Sequence, residues 1–142
     1  MAVTVHLICH GTLKEQYLRD ACAEYLKRLS GYCKVEWYEA KDDASLAAKI
    51  PAKGLRIALC VEGKQLSSEG LAEKMAAAMR SGASDITFVI GGSDGLPERT
   101  KALCDFRLSF SQMTFPHQLM RVILLEQIYR AFTIQKGVTY HK

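Results

Sequence analysis

Apolar and polar positions along the chain repeat with two periods, one near two residues and one near 3.6. Val3-Thr4-Val5-His6-Leu7-Ile8-Cys9 starts as an alternation rich in β-branched residues and stops at His10-Gly11, which predicts a strand and a turn. From Glu15 to Leu29, the residues Leu18, Ala21, Cys22, Tyr25, Leu26 and Leu29 keep the spacing of one helix face. Gly31 stands where a left-handed cap would end that helix. Val35 to Glu39 reads as a second strand. Lys41 to Gly54 is polar, holds Pro51, and has room only for a short helix around Leu46-Ala47-Ala48.

Arg56 to Val61 is a nearly continuous apolar run bounded by glycines, the signature of a buried central strand. Ser67 or Ser68 can N-cap a helix running through Leu71, Met75, Ala78 and Met79 to Gly82. Asp85 to Ile90 is another buried strand and opens directly into Gly91-Gly92-Ser93-Asp94-Gly95. A short helix from Pro97 follows, then a strand from Phe106 to Phe110. The last helix starts after Pro116, runs to about Ile134 and is closed by Gly137. Strands and helices that alternate in this way predict one α/β domain over residues 1–142, a parallel sheet flanked by helices.

The last helix departs from an amphipathic pattern. Leu119, Met120, Val122, Ile123, Leu124, Leu125, Ile128, Tyr129, Ala131 and Phe132 fall on every side of it. Such a helix must be buried on more than one face. A terminal helix in so small a domain is expected to cover one sheet face with its own chain, so a homodimer is predicted to cover the other. Glu126 and Arg130, at i and i+4, are placed to pair.

Composition narrows the class. Of 142 residues, 49% are hydrophobic and 24% charged, which excludes a disordered tail or a collagen-like repeat. Nineteen Lys+Arg against fifteen Asp+Glu leave +4, a balance that permits a nucleic-acid partner without requiring one. The five cysteines form no C-x-x-C and the histidines no H-E-x-x-H, so no metal site is expected. No apolar stretch approaches the length of a membrane span, and a reducing cytoplasm is the expected setting.

In an open α/β sheet, ligands bind beyond the carboxyl ends of the strands. Three such ends are unusual: Leu59 to Lys64, Ile90 to Gly95, and Phe110 to Phe115. Neither G-x-G-x-x-G nor G-x-x-x-x-G-K-[ST] occurs, which disfavours a phosphate cradle and an ordinary nucleotide-dependent oxidoreductase. The apolar residues of the third loop suggest a lined pocket. Asp94 could bind a ribose hydroxyl, although an N-cap for the helix near Pro97 is the simpler reading. Tyr140, His141 and Lys142 offer stacking, a proton acceptor and a phosphate partner, as an RNA-contacting tail would.

Phe88-Val89-Ile90-Gly91-Gly92-Ser93-Asp94-Gly95-Leu96 and the stretch from Leu108-Ser109-Phe110-Ser111 through Met113-Thr114-Phe115-Pro116-His117 to Tyr129-Arg130-Ala131-Phe132, with Tyr140-His141, carry a resemblance over essentially the whole chain. The chain resembles the RlmH family of ribosomal large subunit pseudouridine methyltransferases, within the SPOUT superfamily. Lys41 to Gly54 is shorter than the corresponding family segment. The resemblance implies a C-terminal trefoil knot, which the usual rule against threaded connections would not have suggested. It also implies a dimer, S-adenosylmethionine as cofactor, and Leu59, Gly91, Phe110, Ser111, Gln112, Met113, Thr114 and Phe115 as its binding residues.

The implied reaction is in-line methyl transfer to N3 of pseudouridine 1915, in helix 69 of 23S rRNA within the assembled ribosome. N3 becomes a good nucleophile only as its proton leaves, so a proton acceptor or a group that stabilises the anion is required. The candidates are His141 as base, Tyr140 for stacking or proton relay, and Arg130 to hold a carbonyl oxygen or phosphate. Arg121 and Lys142 are assigned to RNA backbone. For His117, beside the cofactor loop, a structural role at the helix start stands at least level with a part in the chemistry.

Overall fold

A computed structural model describes residues 3–141 of the chain. The amino-terminal half runs β1 (Thr4–His10), α1 (Gln16–Leu29), β2 (Lys34–Ala40), α2 (Asp43–Lys49) and β3 (Leu55–Gln65). It continues with α3 (Ser68–Arg80), β4 (Asp85–Ile90), α4 (Glu98–Lys101), β5 (Phe106–Ser109) and α5 (His117–Lys136). The strands pair in the order β2-β1-β4-β3-β5, and every pair is parallel. The predicted α/β architecture is therefore the observed one.

Burial explains the two sequence rhythms. Along β4, Ile86 to Val89 are wholly buried because both faces of this inner strand are covered. One face carries Val5, Leu7, Cys9, Ile57, Ile86 and Phe88 against helices α1, α3 and α5. The other carries Ile8, Ala58 and Val89 against Leu46 of α2 and Leu96. A buried aliphatic or aromatic side chain contributes roughly 1.5–3 kcal/mol, so these two layers dominate the stability of the sheet.

Several local expectations need correction. Gly31 does not take a left-handed conformation. The end of α1 is instead closed by bonds from Tyr32 N (2.8 Å) and Cys33 N (3.0 Å) to the Leu29 carbonyl. Gly137 does cap α5, at φ 69°. Ser67 caps α3 by accepting from Gly70 N, but Asp94 caps nothing: α4 starts behind Pro97 without a side-chain cap. Strand β3 runs past its apolar stretch to Gln65 because its ladder with β5 is interrupted. Leu59 and Lys64 both pair with Leu108, so Cys60 to Gly63 make an excursion from the sheet.

Helix α5 differs most from expectation. It lies on the sheet between α1 and α3, so its own chain covers three of its sides. Its all-round apolar sequence is thus largely used within one copy, and that pattern alone does not call for a partner. Leu119 still stands exposed on it. Arg121, assigned to RNA from its charge, is completely buried.

Candidate functional site

The carboxyl ends of β3, β4 and β5, three adjacent strands, open into one cleft of about 710 Å³. That is room for a ligand of drug or cofactor size. Leu59, Gly91, Phe110, Ser111, Met113, Thr114 and Phe115 line it, with Ile90, Leu96 and Met120 adding apolar wall. Gln112 does not line it. A bond from Met113 N to Ser111 Oγ (3.0 Å) tightens this turn and leaves Gln112 exposed between the two.

The glycine loop is a close backbone fold. Gly95 N donates to the Gly92 carbonyl at 2.9 Å, and Gly95 has φ 78°. A Cβ on Gly91 would stand 2.6 Å from the Gly95 carbonyl carbon, so the loop can close only without a side chain there. Beside it, a Cβ on Gly92 would meet His10 Nδ1 at 2.7 Å. Asp94, free of any capping duty, also lines the cleft.

The cleft contains charged groups that sequence reasoning did not single out. Lys101 from α4 and Glu62 from the β3 excursion both line it and are ion-paired. Their signal lay in the sequence only as an isolated lysine and an isolated glutamate, and folding brings them together. His117 lines the cleft as well. Burial, then the nearby charges of Arg121 and His10, hold its imidazole below the ordinary pKa of 6.5. Its position at the start of α5 therefore gives it a place in the cleft wall.

Arg121 holds the cleft from behind. Its guanidinium donates to Glu39 Oε2 (3.0 Å) and to the carbonyls of His10 (2.9 Å) and Gly11 (2.8 Å). Glu39 Oε2 also accepts from Leu13 N. One buried side chain thus fastens α5 to the turn after β1, whose His10 ring abuts the glycine loop.

Arg130, Tyr140 and His141 come together, but elsewhere. Arg130 pairs with Glu126 at 2.8 Å, and Tyr140 donates its hydroxyl to the same Glu126 at 2.8 Å. The Arg130 guanidinium sits over the Tyr140 ring, 4.8 Å from its centroid. Burial and the bond to Glu126 raise the Tyr140 phenol to about 12, so it is held protonated. Arg130 Nη1 lies 3.0 Å from His141 Nδ1, and Glu69 Oε2 lies 2.8 Å from His141 Nε2. Arginine can only donate, so a neutral His141 carries its proton on Nε2 and its Nδ1 lone pair is engaged by Arg130. Lys142 lies outside the described residues.

The two clusters are separated along α5. His117 lines the cleft, and Arg130 follows it thirteen residues later, about 20 Å along the helix axis. None of Arg130, Tyr140 and His141 lines the cleft. Within one copy, the tail and the cleft do not meet.

The residues around the cleft fit S-adenosylmethionine: apolar walls for an adenosine, backbone turned inward by the glycine loop, and no cradle for a phosphate chain. No group of three or more metal-ligating side chains occurs among the described residues, and no helix among them is long and apolar enough to cross a membrane.

A family model described as "Predicted SPOUT methyltransferase" matches residues 3–141. The chain is similar to the ribosomal RNA large subunit methyltransferase H of Leuconostoc citreum, 46% identical over 159 aligned positions, covering 99% of this chain and 100% of that protein. The protein of the same name from Leuconostoc mesenteroides is 43% identical with the same coverage. Among solved structures, a probable methylase family protein from Haemophilus influenzae superposes with a TM-score of 0.65 at 12% identity, covering 100% of this chain and 72% of that one. A Legionella pneumophila methyltransferase solved with bound SAM gives 0.50 at 10% identity, covering 91% and 66%. These two structures share the fold. The chain belongs to the SPOUT methyltransferases and, within them, to the RlmH family.

Proposed function

We propose that the protein methylates N3 of pseudouridine 1915 in helix 69 of 23S rRNA, in the cytoplasm, with the assembled ribosome as substrate. The observation that carries this reading is the single apolar cleft formed by the three loops after β3, β4 and β5. It is supported by similarity to proteins named for methylation of large-subunit ribosomal RNA. When bound, S-adenosylmethionine supplies a methyl group activated by its sulfonium charge. Leu59, Gly91, Phe110, Ser111, Met113, Thr114 and Phe115 would hold the adenosine, and the threaded turns of a trefoil knot would fix these loops. His117, kept neutral, adds no second positive charge to the cleft.

Deprotonation falls to the other cluster. His141 accepts the N3 proton once the RNA base replaces Arg130 at Nδ1. Arg130 then turns to a carbonyl oxygen of the base, and Tyr140 packs against it. Because cleft and tail lie about 20 Å apart along α5 in one copy, the working site is built between two copies, each lending its tail to the other. Exposed Met113 and Leu119, near the mouth of the cleft and the start of α5, suit such a contact.

The test is transfer of tritiated methyl from S-adenosylmethionine to 70S ribosomes, 50S subunits and free 23S rRNA, with mass spectrometry locating the product. One methyl on N3 of the helix 69 pseudouridine, in greatest yield with 70S, is expected. Methylation of another nucleotide, or none, overturns the reading.

A further inference from the structure

The ion pair in the cleft wall is unused by the chemistry described so far. Lys101 is nearly buried, its side chain 14% exposed, while Glu62 opposite is 56% exposed. Glu62 reaches Lys101 because Cys60 to Gly63 leave the sheet and are pressed against β5. A Cβ on Gly63 would stand 2.7 Å from the Arg107 carbonyl carbon, so the excursion has one tight seating. An ammonium has three hydrogens, and among the described residues Glu62 takes one of them. The bond from Lys101 holds the Glu62 carboxyl below its ordinary pKa, so Glu62 stands as a carboxylate beside it. A nearly buried ammonium facing a cavity, set beside an ionised carboxylate, is costly unless a ligand or solvent completes it.

We propose that Lys101 and Glu62 read the α-amino-acid end of the cofactor, Lys101 taking its carboxylate and Glu62 its ammonium. This rests on the reading that the cleft holds S-adenosylmethionine. A zwitterion matches a fixed pair of opposite charges, whereas the nucleoside end of the ligand offers no formal charge to either. The pair is preformed, so the ligand's charges enter an arrangement that needs no reorganisation.

Calorimetry with two probes separates the ends of the ligand. S-adenosylhomocysteine carries the amino acid, and 5′-methylthioadenosine keeps the nucleoside and sulfur but lacks it. The wild-type protein is expected to bind the first more tightly. Lys101→Met and Glu62→Gln should each weaken S-adenosylhomocysteine about 10- to 100-fold, the worth of a charge-assisted hydrogen bond, and leave methylthioadenosine within about twofold. Equal losses for both probes would move the pair to the ribose or to mere shape, and unchanged binding of both would leave it no role; either result overturns the proposal. The doubly exchanged Glu62→Lys/Lys101→Glu protein keeps an ion pair and guards against a folding defect, which unliganded thermal unfolding monitors. It too should lose the preference. Should wild-type protein bind neither probe, the cofactor reading itself falls, and this proposal with it.

Discussion

At the scale of single residues, Arg121 shows how far a charge can mislead. Its guanidinium is engaged by Glu39 and two carbonyls, and only its Nε lacks a partner. Sequence gave no way to see this, because Glu39 and His10 lie far away in the chain. Removing one member of a buried ionic cluster leaves the others unpaired, so Arg121→Met is expected to cost about 3 kcal/mol in urea unfolding. A loss under about 0.5 kcal/mol would show the clamp to be dispensable.

The two neighbouring glycines should respond differently. An alanine Cβ at position 91 meets backbone at 2.6 Å, while one at 92 meets the end of a His10 side chain that can swing aside. Gly91→Ala is therefore expected to weaken S-adenosylhomocysteine at least about tenfold, and Gly92→Ala less than about threefold, by calorimetry. Equal effects would refute the distinction. His117 gives a pH signature. Its native pKa lies below the unfolded value of 6.5, so its contribution is intact above that pH and lost as pH falls through the native value. The urea midpoint should drop as the pH falls below 6.5, and drop less in His117→Asn. Parallel profiles for the two proteins would exclude His117 as the source.

At the scale of elements, the strands and most helices were legible because apolar periodicity survives any tertiary detail. Asp85 to Ile90 and Leu46 behave as their patterns say. What was hidden depends on contacts between distant segments: the Cys60 to Gly63 excursion, the covering of α5 by α1 and α3, and the meeting of Lys101 with Glu62. The loops that line the cleft were visible as glycine and apolar clusters, whereas the separation of the tail from the cleft was not. The tail itself is a light attachment. Val138 is exposed, and Tyr140 and His141 hold mainly to Glu126, Arg130 and Glu69. A chain ending at Gly137 should then unfold within a few degrees of the full protein and bind S-adenosylhomocysteine normally, yet transfer no methyl. Retained transfer would remove the tail from catalysis.

At the scale of the whole molecule, the proposed exchange of tails between two copies makes a prediction that single variants cannot. With cofactor kept too dilute to fill its weakened cleft, a Gly91→Ala chain offers a tail but no working cleft, and the chain ending at Gly137 does the reverse. Mixed and allowed to reassociate at random, half the dimers pair one of each, and one of their two sites is whole. Activity should return to about a quarter of wild type. If each copy serves its own site, the mixture stays inactive.

The parallel sheet also has a consequence in time. No two neighbouring strands are joined by a hairpin: Thr4 finds Asp85 roughly 80 residues on, and Ile57 finds Phe106 roughly 50 on. Each ladder must close a long loop before its first bond repays the entropy, so local nuclei can form helices but not sheet. A chain wired this way is expected to acquire its structure late and all at once, over milliseconds to seconds rather than microseconds. Until then the apolar strands that build the cleft remain open to other chains, and speed of assembly, as much as final stability, limits how much working protein results.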